Sequence, residues 1–209
     1  MIARDIALAL DTGARVLFQH VSSAQSAALI RAGKALGAKI YAEVTPHHLS
    51  LTEDDVPAHG TYARMNPPLR KEADRQALID ALADGTIVMI ATDHAPHTAE
   101  EKAREFAKAP SGITGLETAF SVCNTYLVKT GRLTPMQLIE KMSKAPAEVY
   151  GLTGRAVAAG HFARLVLLDW DSEMIYKEYK SKAINTPYTG MPLTGAPRAI
   201  VTGARVTAR

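Results

Sequence analysis

TIVMIATDHAPH, residues 86–97, is an unbroken apolar run of strand-forming side chains that turns abruptly into Asp93, His94 and His97. A strand covered on both faces of a parallel sheet has this continuous apolar character instead of alternation. The pattern occurs twice upstream. ARVLFQH (14–20) ends in His20, and KIYAEV (39–44) ends in Thr45-Pro46-His47-His48. Helical spacing separates the three runs. Ser22 and Ser23 are placed to cap a helix over 24–36 that Gly37 closes, and a second amphipathic stretch covers 71–83 before Asp84-Gly85. A helix over 2–11, stopped by Gly13, precedes them. Strand–helix alternation of this kind means βα units around a parallel sheet.

Outward from this frame the pattern loosens. Residues 50–70 are rich in turn formers (Pro57, Gly60, Pro67, Pro68), and residues 94–112 form a long polar loop. Two helices are predicted over 115–129 and 134–150, the second announced by Thr134-Pro135, a capping residue ahead of a helix-compatible proline. RLVLLD (164–169) and AIVTGARV (199–206) then read as two strands of a small β appendage, joined by a loop holding Pro187, Gly190, Pro192 and Pro197.

The chain has 209 residues, 47% hydrophobic and 22% charged, as in ordinary water-soluble domains. No apolar stretch approaches the roughly 20 residues that cross a bilayer, and Asp5 interrupts any signal-peptide core, so a cytoplasmic location is expected. Cys123 is the only cysteine, which excludes an intrachain disulfide and a thiolate metal cluster. The net charge of +3 comes from scattered Lys and Arg without interleaved aromatics, which argues against nucleic acid.

Chemistry concentrates at the strand ends. In βα barrels the active site is built at the C-terminal ends of the strands, and here those ends carry His20, His47, His48, Asp93, His94 and His97. Imidazoles and a carboxylate on one rim suit a divalent metal such as Zn²⁺, which lowers the pKa of bound water to about 7; a carboxylate beside it can shuttle the proton. Each residue also has a plainer reading. A lone strand-end His is more often a satisfied polar group, Asp93 can cap the following segment, and Asn66 before Pro67-Pro68 suits a turn. On an extended chain His47 and His48 face opposite ways, so at least one of them is structural.

Several longer strings carry a resemblance: AEVTPHHL (42–49), MNPPLR (65–70), IATDHAPH (90–97), APSGITGLETAF (109–120) and NTPYTG (185–190). Together, in order and over nearly the whole chain, they resemble bacterial class I dihydroorotase of the amidohydrolase superfamily. The resemblance implies a zinc-dependent (β/α)8 barrel of TIM type with a β appendage, usually with a two-metal centre. The family interconverts N-carbamoyl-L-aspartate and L-dihydroorotate in pyrimidine biosynthesis. By this resemblance residues 1–155 correspond to a partial barrel holding strands six to eight, and 156–209 to the appendage. His20 resembles the zinc-binding histidine that ends strand six, and Asp93 the catalytic carboxylate that also touches a metal. Asn66 and His97 resemble substrate-holding residues, and Ser111 and Gly112 lie where the family makes backbone contacts to the ring.

Such barrels take about 250 residues, and three strands are visible here. The family's His-x-His pair, its bridging carboxylate or carboxylated lysine and its strand-five histidine have no counterpart. Since even catalytic zinc normally takes three protein ligands, this chain alone is expected to bind zinc poorly, to lack dihydroorotase activity and to expose long apolar strand edges. Allantoinase- or dihydropyrimidinase-like hydrolysis is the alternative within the enzyme class. A non-catalytic dihydroorotase-like structural subunit of a transcarbamoylase complex is the alternative outside it; the partners expected are the small-molecule substrate and either further copies of the chain, as a homo-oligomer, or aspartate transcarbamoylase.

Overall fold

Strands β1 (Val16–Phe18), β2 (Ile40–Val44) and β3 (Met89–Ile90) form a parallel sheet in chain order. Val16 lies opposite Ile40, Phe18 opposite Ala42, and Glu43 and Val44 opposite Met89 and Ile90. The computed structural model describes residues 1–152 and 157–208. The expected division between residues 155 and 156 therefore lies outside the described residues.

The crossovers are the Ala24–Ala35 and Glu72–Ala83 helices. Ser23 caps the first, its hydroxyl accepting from the Ser26 N–H at 3.2 Å. Gly13 ends the Ile2–Thr12 helix in the left-handed region (φ 70°), returning its N–H to the Ala9 carbonyl. Ile30, Ala42, Val44, Leu82 and Ile87 are fully buried between sheet and helices. Each large aliphatic among them contributes about 1.5–3 kcal/mol.

The strands are shorter than the apolar runs, three and two residues instead of seven each for β1 and β3. Beyond their C-terminal ends His20 (φ 39°) and Asp93 (φ 46°) adopt left-handed backbone, which ends the extended run, while Val21 still donates to the Glu43 carbonyl and Ala91 to the Val44 carbonyl. Residues 46–50 form a helical turn, Pro46–Ser50, with Thr45 as its cap. His47 and His48 thus sit on a helix and not on extended chain, and both are buried.

The two later helices are interrupted by π-helical turns, Asn124–Val128 and Glu140–Lys144. Thr134 caps as expected, with Gln137 completing a capping box. Among the described residues no helix is long and apolar enough to cross a membrane.

A second, antiparallel sheet follows: β4 (Arg164–Ile175), β5 (Pro192–Thr202) and β6 (Arg205–Ala208). The run read as one strand over 199–206 is two, because Gly203 (φ 59°) turns the chain back so that Val201 faces Val206. The inner end of this sheet is fastened to the first unit. Asn124 Nδ2 donates to the Trp170 and Thr194 carbonyls, the Ser121 hydroxyl donates to the Gly195 carbonyl, and Phe120 meets Trp170 edge-on at 5.1 Å.

Candidate active site at the strand-end rim

The three parallel strands point one way, so the residues that follow them share a rim. His20 follows β1, the Thr45–Ser50 segment follows β2, and Asp93 follows β3. Left-handed backbone costs a non-glycine residue on the order of 1 kcal/mol or more and collects at functional sites. Among the described residues it occurs at His20 and Asp93, the two that the family resemblance nominated as metal ligands.

Glu43, on β2 between them, links the pair. Its buried carboxyl lies close enough to the His20 backbone and to the His20 and Asp93 side chains for all three to act on its ionisation, and its own backbone carbonyl accepts from the Val21 N–H at 2.9 Å. Burial is the largest influence and raises its pKa. The His20 contacts pull it back, and the Asp93 charge adds to the rise. Sequence reasoning missed Glu43. The available signal was a single acid inside an otherwise apolar strand.

His20 Nδ1 is buried with no hydrogen-bond partner. A buried polar atom without a partner is uncommon and calls for a ligand or a reason. An imidazole nitrogen of this kind and the exposed carboxylate of Asp93 are donors that suit a divalent cation. They fit in kind but not in number: among the described residues no three His, Cys, Asp or Glu side chains gather into a metal-holding group.

His48 takes a different part. Its Nε2 donates to the Pro67 carbonyl at 2.9 Å, and its Nδ1 accepts from the Thr45 hydroxyl at 2.7 Å. Both ring nitrogens are engaged as a neutral imidazole, and burial pushes its pKa down to about 4. His47, packed against it with ring centroids 4.5 Å apart, is held well below the usual histidine value by burial and by the His48 and His20 charges. These two histidines brace the rim.

Asn66, Pro67 and Pro68 divide the rim into two clefts. On one side a groove of about 570 Å³ runs along the β1 edge, lined by Phe18, His20, Val21, Pro67 and Arg70. On the other, a cleft of about 450 Å³ is lined by Arg64, Met65, Asn66, Phe106 and Ser111. His97 and Gly112 adjoin this second side. His97 Nε2 donates to the Ser111 carbonyl at 3.0 Å, and a Cβ on Gly112 (φ 129°) would lie 2.6 Å from Ala95 Cβ and 3.3 Å from His97 Nε2. The four substrate-holding candidates therefore cluster, while His20 faces the neighbouring groove.

The loop over 94–112 is ordered by charge. Lys102, buried, donates to the Thr61 and Pro110 carbonyls, and Arg64 donates to the Ala109 and Ala107 carbonyls and to the Ser111 hydroxyl. Burial, with Arg64 nearby, lowers the Lys102 pKa to about 8. Neither residue was singled out from sequence, because their partners are backbone carbonyls.

Residues 9–206 match the model of the amidohydrolase family. The chain is 51% identical over 195 residues to a dihydroorotase of Clostridioides difficile, covering 93% of this chain and 46% of that protein. It is 47% identical over 208 residues to a dihydroorotase of Clostridium acetobutylicum, covering 99% and 49%. Among solved structures it resembles an L-hydantoinase (dihydropyrimidinase) from Arthrobacter aurescens, with TM-score 0.90, 30% identity, and 100% of this chain on 48% of that one. A D-hydantoinase from a Thermus species gives TM-score 0.89 at 29% identity, with 100% and 48% covered. The chain spans about half the length of the curated relatives it matches.

Proposed function

This chain belongs to the amidohydrolase family, and from that premise we propose that it forms the C-terminal half of a dihydroorotase active site. The corresponding reaction is the reversible cyclisation of N-carbamoyl-L-aspartate to L-dihydroorotate. The observation that carries this reading is the identity of about half to dihydroorotases along nearly the whole chain, over a length that includes the rim with His20 and Asp93. In this reading β1, β2 and β3 are strands six to eight of the barrel, and the antiparallel sheet is the appendage, with the division near residue 155.

The roles follow from chemistry. His20 offers an imidazole nitrogen and Asp93 a carboxylate to a divalent cation, proposed to be zinc. Once further ligands completed the site, such a cation would supply Lewis-acid polarisation of a carbonyl and a water acidic enough to ionise near neutrality. Asp93, exposed at the rim, accepts or returns the proton as the ring amide opens or closes. Asn66, His97, Ser111 and Gly112 hold the small anionic substrate, with Arg64 fixing the loop that carries Ser111. Two donors fall short of the three that catalytic zinc takes, so the remaining ligands must come from further polypeptide.

The test is reconstitution. The chain alone is expected to take up little zinc and to leave carbamoyl aspartate unchanged. Co-expressed with the N-terminal half of the Clostridioides difficile relative, it should gain both zinc and turnover, and Asp93→Asn should abolish the turnover. Robust cyclisation by the chain alone would defeat the two-ligand argument. Reconstitution that hydrolyses hydantoins and ignores carbamoyl aspartate would favour the second reading, a dihydropyrimidinase-like enzyme, which the solved hydantoinase relatives support. A metal-bound but inactive assembly that co-purifies with a transcarbamoylase would point to a structural subunit.

A further inference from the structure

Asn185 lies in the segment between β4 and β5, far in sequence from the rim, and is 2% exposed. Its side-chain amide is saturated. Oδ1 accepts from the His97 backbone N–H at 2.9 Å and from the Thr114 hydroxyl at 2.6 Å. Nδ2 donates to the Ala95 and Gly112 carbonyls, both at 3.1 Å. Two acceptor sites meet two donors and two amide hydrogens meet two carbonyls, so the orientation of the amide is fixed by its partners. The Asn185 carbonyl also accepts from the Thr114 N–H at 3.0 Å.

The bonded partners fall on two rim segments. Residues 95–97 carry His97, and residues 112–114 carry Gly112; an isolated parallel bridge between His94 and Ile113 is their direct link of strand type. Without Asn185 the Ala95 and Gly112 carbonyls and the His97 N–H would each lose a buried partner. The two segments are already close-packed: a Cβ on Gly112 (φ 129°) would lie 2.6 Å from Ala95 Cβ.

We propose that Asn185 is a positioning residue of the active site, an amide clip that sets the spacing of the His97 and Gly112 segments from the C-terminal sheet. Resting on the reading that these segments hold dihydroorotate, it deepens that reading: the appendage takes part in substrate recognition through one side chain. The ring is addressed only through that spacing: the Ser111 carbonyl, next to Gly112, accepts from His97 Nε2, while Glu101 lies 3.8 Å from Nδ1, so moving the two segments apart changes the bond that places a proton on Nε2.

The test uses the 209-residue chain, ¹⁵N-labelled and assembled with the unlabelled N-terminal half of the Clostridioides difficile relative, so that the dihydroorotate site is whole. The Asn185 amide protons and the His97 N–H are expected to exchange with solvent about 100-fold more slowly than exposed amides, and the His97 ring shifts to report the Nε2–H form. Asn185→Asp keeps the acceptor but turns a carboxylate on two carbonyls. It should scramble the His97 tautomer and weaken dihydroorotate-induced shifts at Gly112 about tenfold, with β4–β5 signals unmoved. Thr114→Val, which leaves three of the four bonds, should keep the tautomer. Fast exchange in the unsubstituted chain overturns the proposal even if Asn185→Asp fails to fold. So does a tautomer that survives Asn185→Asp, or one lost equally in Thr114→Val. An intact clip with no response to dihydroorotate overturns the substrate reading alone.

Discussion

The two sheets of this chain solve opposite problems. The parallel sheet is short, covered by helices and lined by residues such as Ile30 and Ile87 with no exposure, and the buried histidines and Glu43 sit at its ends. The antiparallel sheet is longer, yet its outer part exposes Val166, Ile200 and Val206, each more than half accessible. Regular hydrogen bonding is richer in the second, and burial is richer in the first. Among the described residues the non-glycine left-handed positions, His20 and Asp93, both fall at the rim of the shorter sheet, where packing can hold them, and the candidate site lies there. The longer sheet contributes through its inner end and through Asn185.

The contrast can be broken most directly by cavity formation. Ile30→Ala should cost about 2–5 kcal/mol in urea unfolding, and Ile200→Ala, at an exposed site, about 0.5 kcal/mol or less. Equal losses would mean that the outer antiparallel sheet is covered in solution. Acid should act on the parallel side. His48 titrates near 4 when folded and near 6.5 when unfolded, so its stabilisation is complete above pH 6.5 and fades as pH falls toward 4. The loss is on the order of 3 kcal/mol, and His47 adds to it in the same direction. Unfolding midpoints at pH 7, 5.5 and 4.5 measure it, and a flat profile would remove His48 from the bracing role.

A smaller effect tests the junction between the sheets. Gly195 has φ 90°, and a Cβ there would lie 2.6 Å from Asn124 Nδ2, the group that binds the Trp170 and Thr194 carbonyls. Gly195→Ala should cost about 1–3 kcal/mol. Thermal unfolding followed by Trp170 fluorescence should register the loss, because that side chain sits at the junction. Smallest of all is Arg31→Ala. Its partner Asp84 is 2.6 Å away but both side chains are about half exposed, so the change should stay within about 0.5 kcal/mol and shrink further in salt.

Much of this was legible in the residues themselves. Three apolar runs gave the three parallel strands in order, Ser23 and Thr134 marked helix starts, and the strand ends offered several polar candidates, from which the family resemblance singled out His20 and Asp93. The strand lengths were not legible, because β1 ends at Phe18 and β3 at Ile90, ahead of the left-handed His20 and Asp93, and how far each run pairs is decided by the neighbouring strand. The helical turn at Pro46–Ser50 was readable in principle from Thr45-Pro46, a cap followed by a proline, but the preceding strand pattern masked it. Glu43 stood out only as an acid among apolar neighbours, with nothing local to say that the His20 backbone would meet it.

By itself the sequence determined what depends on near neighbours: periodicity, caps, the order of βα units and the family motifs. Tertiary structure decided what depends on partners distant along the chain. Asn185 binds His97 across 88 residues, Ser50 meets Tyr188 across 138, and Lys102 finds its acceptors on two separate loops. Local propensity carries no information about such pairs. Burial makes each unmatched polar group costly, and only the folded chain determines which groups are buried together.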